Sequence, residues 1–335
     1  MKVDDCHGNL RPAKEREKAL TINEFNGKTL TPPVSVYLPW NLSTDQFKKL
    51  LPDTPEDGEP GFGFPALRNW FVKLLQTLDA QEDELHPFHS NPYRLRKLDI
   101  EAADWFNEGK LGFVKLQSEV RNDDPDDEKN WTPGAVFLRG GSVAVLFIVQ
   151  PEGAEGEDEK QVILTVQPRV AASSLAFTEI PAGMLDDEQD SFAGKAAKEI
   201  KEETGLELKE SELLDMTKLA LEGASSEYPP AAESLEKAMY PSPGACDEFI
   251  TLYLCQKRLK REHLEDLKGK ATGLAEEGEK IKLKLVPLHM LWREGARDAK
   301  TLAALSLYEN IKAIGMLPEM PTNLDDRSKD WRSEK

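Results

Sequence analysis

Three glutamates in one short segment set the tightest limit on what this chain can fold into. Glu199, Glu202 and Glu203 sit at i, i+3 and i+4 within the stretch Glu179 to Leu206. On a helix these carboxylates fall on one face, about a turn apart. Like charges so placed repel, and an ordinary helix gains nothing from them. A divalent cation between them removes the penalty, and hard oxygen ligands suit Mg²⁺ or Mn²⁺. Taken alone, the three acids would read as a solvated helix face. Their surroundings argue otherwise. Phe192, Ala196 and Ile200 recur at i, i+4 and i+8 on another face and would anchor the helix to a sheet. Gly205 stands where a helix end calls for a left-handed residue. Gly183 precedes the intervening loop and frees its backbone. The spacing predicts a helix around 190–204.

Charge and hydropathy narrow the functional classes. The 335 residues include 43 Lys+Arg against 61 Asp+Glu, a formal charge of -18. Such a field repels phosphate backbones, so a nucleic-acid partner is not expected. A small phosphorylated ligand is still compatible, because a bound divalent cation reverses the sign locally. The most apolar run, Ser142 to Val149, is strand length, and no window approaches the 18 or more apolar residues of a membrane helix. The residues from Met1 to Cys6 carry early acids and no apolar stretch, unlike a secretory or transit signal. Cys6, Cys246 and Cys255 are too few and too scattered for a disulfide framework or a zinc site. A cytoplasmic protein without membrane association is the expectation.

The chain divides by rhythm. Residues 1–30 are polar, and a loosely ordered segment is expected there. Residues 31–38 open with prolines and then alternate, which suggests an edge strand. Residues 65–79 carry Leu67, Trp70, Phe71, Leu74, Leu75 and Leu78 at helical spacing. Short strands are expected at Leu95–Ile100 and Phe113–Val120. The charged, proline-broken stretch Arg121 to Asn130 marks a boundary between an extension domain over 31–125 and a second domain over 130–318, with a polar tail over 319–335. In the second half, Ala135–Phe137, Ser142–Val149, Gln161–Val166, Phe249–Gln256 and Lys280–Val286 read as strands, and 299–314 as an amphipathic helix. Strands mixed with few helices point to an α/β or α+β fold, its sheet packed between helices.

The segment from Gly183 to Leu206 resembles the box of the Nudix hydrolases. That box runs Gly, five residues, Glu, seven residues, then Arg-Glu-apolar-any-Glu-Glu-any-Gly-apolar. Here its second half reads Lys198-Glu199-Ile200-Lys201-Glu202-Glu203-Thr204-Gly205-Leu206. Lys198 replaces the arginine, Asp190 replaces the first glutamate, and six residues separate Gly183 from Asp190. The last two departures also occur in the ADP-sugar diphosphatase branch, whose Pro-Ala-Gly-Met-Leu-Asp-Asp stretch is similar to Pro181 to Asp187. Lysine offers a point charge where arginine offers a planar fork. Tyr240 to Glu248 resembles a Ser-Pro-Gly stretch ending in an acid. Ala271 to Ile281 resembles an acidic catalytic loop, Gln167-Pro-Arg169 a substrate-contacting element, and Val136 to Gly141 the entry to the core sheet.

The resemblance implies a Nudix α/β/α sandwich preceded by a smaller N-terminal domain, and a homodimer. It implies that Glu199 and Glu203 ligate metal, with Glu202 as a further ligand or catalytic group. The Ala182 carbonyl, Glu248 and Glu279 would complete the site, Glu277 would act as base, and Arg169, Gln167 and Arg139 would bind substrate. The implied reaction is Mg²⁺-dependent hydrolysis of a nucleoside diphosphate sugar, ADP-glucose or ADP-ribose, to a nucleoside monophosphate and a sugar phosphate. A UDP-sugar diphosphatase and a non-catalytic binding module of the same fold are the alternatives.

Overall fold

The computed structural model describes residues 18–54, 60–107, 109–124, 130–185, 191–222, 235–273, 280–322 and 324. The chain forms two compact units: Met1–Gly140 with Ser226–Leu235 and Ser242–Glu248, and Gly141–Ser225 with Glu236–Pro241 and Phe249–Lys335.

The first unit is a six-stranded sheet against two helices. Strands β1 (Leu20–Phe25) and β2 (Lys28–Tyr37) form a hairpin whose turn puts Asn26 and Gly27 at positive φ, as such tight turns require. Helices α1 (Thr44–Leu50) and α2 (Ala66–Asp79) follow. Strands β3 (Arg94–Asn107) and β4 (Lys110–Arg121) make a long antiparallel pair, and β5 (Trp131–Thr132) and β6 (Ala135–Leu138) both add to β4. Leu67 and Phe71 of α2 and Phe47 and Leu50 of α1 are buried with Val34, Val36, Leu98, Ile100 and Leu116 of the sheet.

Three expectations change here. The polar opening contributes β1, so β2 lies inside the sheet between β1 and β3 rather than at its edge. Its prolines are tolerated because Pro32 and Pro33 fall where the β1–β2 register is broken, between the pairs at Ile22 and Glu24, and β3 pairs only with residues 35–37. The stretch around Val136, read as the entry to the second sheet, is instead a strand of the first.

The second unit is built on β7 (Ser142–Pro151), buried along its whole length. Around it lie β8 (Gln161–Arg169), β9 (Ser174–Glu179), β10 (Ala182–Met184), α3 (Phe192–Thr204), β11 (Leu213–Asp215), α4 (Met216–Glu222), β12 (Ile250–Leu259), α5 (Arg261–Leu267), β13 (Ala271–Thr272), β14 (Ile281–Pro287), α6 (Leu291–Glu294) and α7 (Ala299–Ala313). The sheet order is β11-β12-β7-β8-β14-β13, with β10 on β7 and β9 on β8; β12 runs parallel to β7.

Alternate residues of β7 enter different cores. Ala144, Leu146 and Ile148 pack with Ala304, Tyr308 and Ile311 of α7. Val143, Val145, Phe147 and Val149 pack with Ala196 and Ile200 of α3 and Leu264 of α5. Helices thus cover both faces, which explains why β7 reads as a continuous apolar run rather than an alternating one. The unit is the expected α/β/α sandwich. No helix among the described residues is long and apolar enough to cross a membrane.

Candidate active site

The site is built on α3 and the turn that faces it. Ser191 caps the helix, its hydroxyl accepting from the Gly194 N–H at 2.9 Å. Gly205 ends it at φ 75° in the left-handed region. Ala196 and Ile200 fix one side of the helix to the sheet, as their spacing predicted, whereas Phe192, expected in the same row, is exposed at the start of the helix. A second row, Lys195, Glu199 and Glu203 at four-residue intervals, runs beside it, with Lys195 and Glu203 both buried.

Glu203 is held by three contacts. The Ala182 N–H donates to its Oε2 at 3.1 Å, and the Gln167 amide donates to its Oε1 at 3.3 Å. Its backbone carbonyl accepts from the Thr272 hydroxyl at 2.5 Å. Burial pushes its carboxyl up to about 8; the neighbouring Glu199 and Glu179 charges push the same way, against the Ala182 N–H and the Arg169 charge. Ala182, expected to offer a carbonyl, meets Glu203 through its N–H.

Gly183 lies directly under Glu199. A Cβ at 183 would overlap the Glu199 carboxyl carbon and oxygen, so only glycine lets the carboxylate rest there. Glu199 Oε1 also pairs with the Lys195 ammonium at 3.1 Å. Glu202 is more open and sits 3.8 Å from the half-exposed Lys198, so Lys198 serves Glu202.

Arg169 is held by a buried network that the sequence did not reveal. Its Nε donates to Glu179 Oε1 at 2.6 Å, and Lys300 pairs with the other Glu179 oxygen. Lys300 also contacts Asp298 at 3.0 Å, and Asp298 accepts from the Thr301 hydroxyl, which in turn accepts from the Ile180 N–H. Glu179 opens the segment that was singled out, but its partner at 300 is 121 residues away, and no local pattern signals it.

Arg139 and Glu248 both belong to the first unit, where they pair at 2.9 Å. The N–H groups of Arg139 and Gly140 donate to the Asp247 carboxylate, at 2.8 Å for Arg139. Burial raises the Asp247 carboxyl despite these donors. Asp190, Glu277 and Glu279 lie outside the described residues. Among the described residues, no group of three or more His, Cys, Asp or Glu is gathered as a metal would need. His86 and His89 are engaged within their own loop, His86 accepting from the Phe88 N–H and His89 meeting the Gln81 carbonyl.

The donor set nevertheless suits a hard divalent cation. Two carboxylates one turn apart, one lying on a glycine and one sunk to 4% exposure, present oxygen at a place where unneutralised charge is costly.

Comparison with known proteins places the chain in a family. The family model described as NUDIX domain matches residues 139–305. Nudix hydrolase 14, chloroplastic, of Arabidopsis thaliana is 34% identical over 250 residues, which cover 75% of this chain and 72% of that protein. The chain belongs to the Nudix family. Membership in the Nudix family supports an enzyme that cleaves a diphosphate bond in a nucleotide-derived substrate, and Nudix hydrolases generally use divalent metal ions. A crystal structure of an ADP compounds hydrolase aligns with 67% of this chain and 98% of its own, at 15% identity and a TM-score of 0.37.

Proposed function

We propose that this Nudix protein hydrolyses the diphosphate bond of a nucleoside diphosphate sugar, with ADP-glucose or ADP-ribose as substrate and Mg²⁺ as the cation. The observation that carries the reading is the row of Glu199 and Glu203 against Gly183 and Ala182, with Gln167 and Arg169 beside it. The choice of an ADP-sugar rests on the Pro181 to Asp187 stretch and the six-residue spacer before Asp190.

When bound, the cation neutralises the diphosphate and lowers the pKa of a water molecule. The chain's own residues do the rest. Glu199 and Glu203 hold the cation, with Glu202 nearby on the same helix. Arg169 offers a fork that matches two phosphate oxygens, and Glu179 fixes its direction. Gln167 turns Glu203 toward the turn at Ala182. Glu277 is proposed as the base that takes the proton of the attacking water, and Glu248 and Glu279 as further metal ligands. Arg139 is proposed to meet the substrate. Catalysis by such a site is mostly positioning and spreading of charge.

A homodimer and a cytoplasmic location belong to the same proposal, although the plant relative is chloroplastic by name. Cell fractionation and light scattering test those two points.

The activity is tested by incubating the purified protein with Mg²⁺ and ADP-glucose, ADP-ribose, UDP-glucose or NADH, with products identified by mass. Monophosphate release from the ADP-sugars that disappears in Glu203→Gln supports the reading. Preference for UDP-glucose would correct the base. No release from any of them, with Mn²⁺ also tried, would favour a binding module.

A further inference from the structure

We infer that Lys195 is the internal counter-ion of the acidic row, a positioning residue that holds Glu199 in the cation-free protein and weakens the site's grip on a divalent cation. The inference rests on the reading of Glu199 and Glu203 as cation ligands.

The placement of Lys195 runs against ordinary helix energetics on three counts. Lysine is almost never fully buried unless it is paired, yet Lys195 is 7% exposed. It stands in the first turns of α3, where the helix dipole disfavours a cation. It also precedes its glutamate by four residues, the weaker order for a helical ion pair. The other lysines of this helix avoid all burial cost: the side chains of Lys198 and Lys201 are 58% and 63% exposed. Something specific therefore holds Lys195 inside, and the contact at hand is Glu199 Oε1 at 3.1 Å.

The charges explain the arrangement. Glu199 and Glu203 lie one turn apart on the same face of α3, and like charges so placed repel. An ammonium at the head of the row offsets that repulsion. Its contact is with Glu199 Oε1. A divalent cation arriving at the row meets a fixed positive charge, so Lys195 lowers affinity while it preserves the geometry of Glu199. The structure thus places in Lys195 a second cationic residue, one turn before Lys198 and buried where Lys198 is exposed.

The test uses full-length wild type, Lys195→Met, Lys195→Arg and Glu203→Gln. Methionine keeps the length and apolar stem of lysine, so the packing is retained. Melting is followed in EDTA, and Mn²⁺ binding is read from the electron paramagnetic resonance signal of free Mn²⁺. Lys195→Met should melt a few degrees lower than wild type in EDTA. It should bind Mn²⁺ about tenfold more tightly. Lys195→Arg should stay near wild type in both. Mn²⁺ binding by Lys195→Met that equals or falls below wild type would overturn the inference alone, as would an unchanged melting temperature in EDTA. No Mn²⁺ binding by wild type, or binding that Glu203→Gln leaves intact, would overturn the cation reading and this inference with it.

Discussion

Glu203→Gln separates the charge of the buried carboxylate from its shape. The glutamine can still accept from the Ala182 N–H, and the Gln167 amide can turn over to face the new NH₂ group. What disappears is the titration. In the fold Glu203 titrates at about 8, against 4.5 for an ordinary glutamate. Below pH 4.5 the carboxyl is protonated in both folded and unfolded chains, and the variant gains nothing. Between 4.5 and 8 the unfolded chain releases a proton that the fold retains, so the wild-type fold loses stability as pH rises. Above 8 the loss is complete. The gap between 8 and 4.5 corresponds to about 5 kcal/mol at 1.36 kcal/mol per pH unit. Urea titrations in EDTA should therefore show the variant little changed at pH 4.5 and more stable than wild type by several kcal/mol at pH 8.5. Added Mg²⁺ should stabilise wild type and leave the variant where it was. Hydrolysis should fall by at least about a hundredfold. A stability difference that stays constant from pH 4.5 to 8.5 would refute the account of a carboxyl raised by burial.

Three other outcomes follow from the same geometry. Mg²⁺ binding at pH 7 should release close to one proton, seen by calorimetry in buffers of different ionisation enthalpy, because Glu203 is mostly protonated before the cation arrives. Gly183→Ala should keep the melting temperature within a few degrees yet lose most Mg²⁺-dependent activity, because the new methyl overlaps the Glu199 carboxyl and displaces it. Glu179→Gln should cost about 3 kcal/mol, since it leaves Lys300 and Arg169 without their shared buried partner, and should raise KM more than it lowers kcat.

Much of the second unit was legible because its signals are local. Ala196, Ile200 and the closing Gly205 of α3 lie within ten residues of one another, and the apolar run from Ser142 to Val149 is of strand length. The misreadings share a cause, which is long-range pairing. Residues 31–38 look like an edge strand until Leu20–Phe25 pairs with them, and the alternation of β1 is too weak to announce itself among polar neighbours. The four residues of β6 have no preference between two sheets; backbone bonds to β4 and to Ala245 decide it. At the site, the shared helix face of Glu199 and Glu203 was legible because their four-residue spacing is local. Lys195 and the Glu179 network could not, because a buried ion pair is defined by what surrounds it, and Lys300 reaches Glu179 only after the sheet has formed.

The divided allegiance of β7 bears on how this family member can vary. Leu146 and Phe147 are neighbours in sequence but report to separate interiors, one lined by α7 and the other by α3. Substitutions at Leu146 should couple to those in the interior under α7, and substitutions at Phe147 to those under α3, wherever the side chains touch. The interior under α7 also reaches the site, because α7 supplies Lys300 and Thr301 to the network behind Arg169 and its core packs Ile180 and Ala182. The interior under α3 sets the height of the glutamate row above Gly183, so drift there is read out as catalysis. A single strand thus ties both halves of the sandwich to the site, one through the glutamate row and the other through the turn at Ala182.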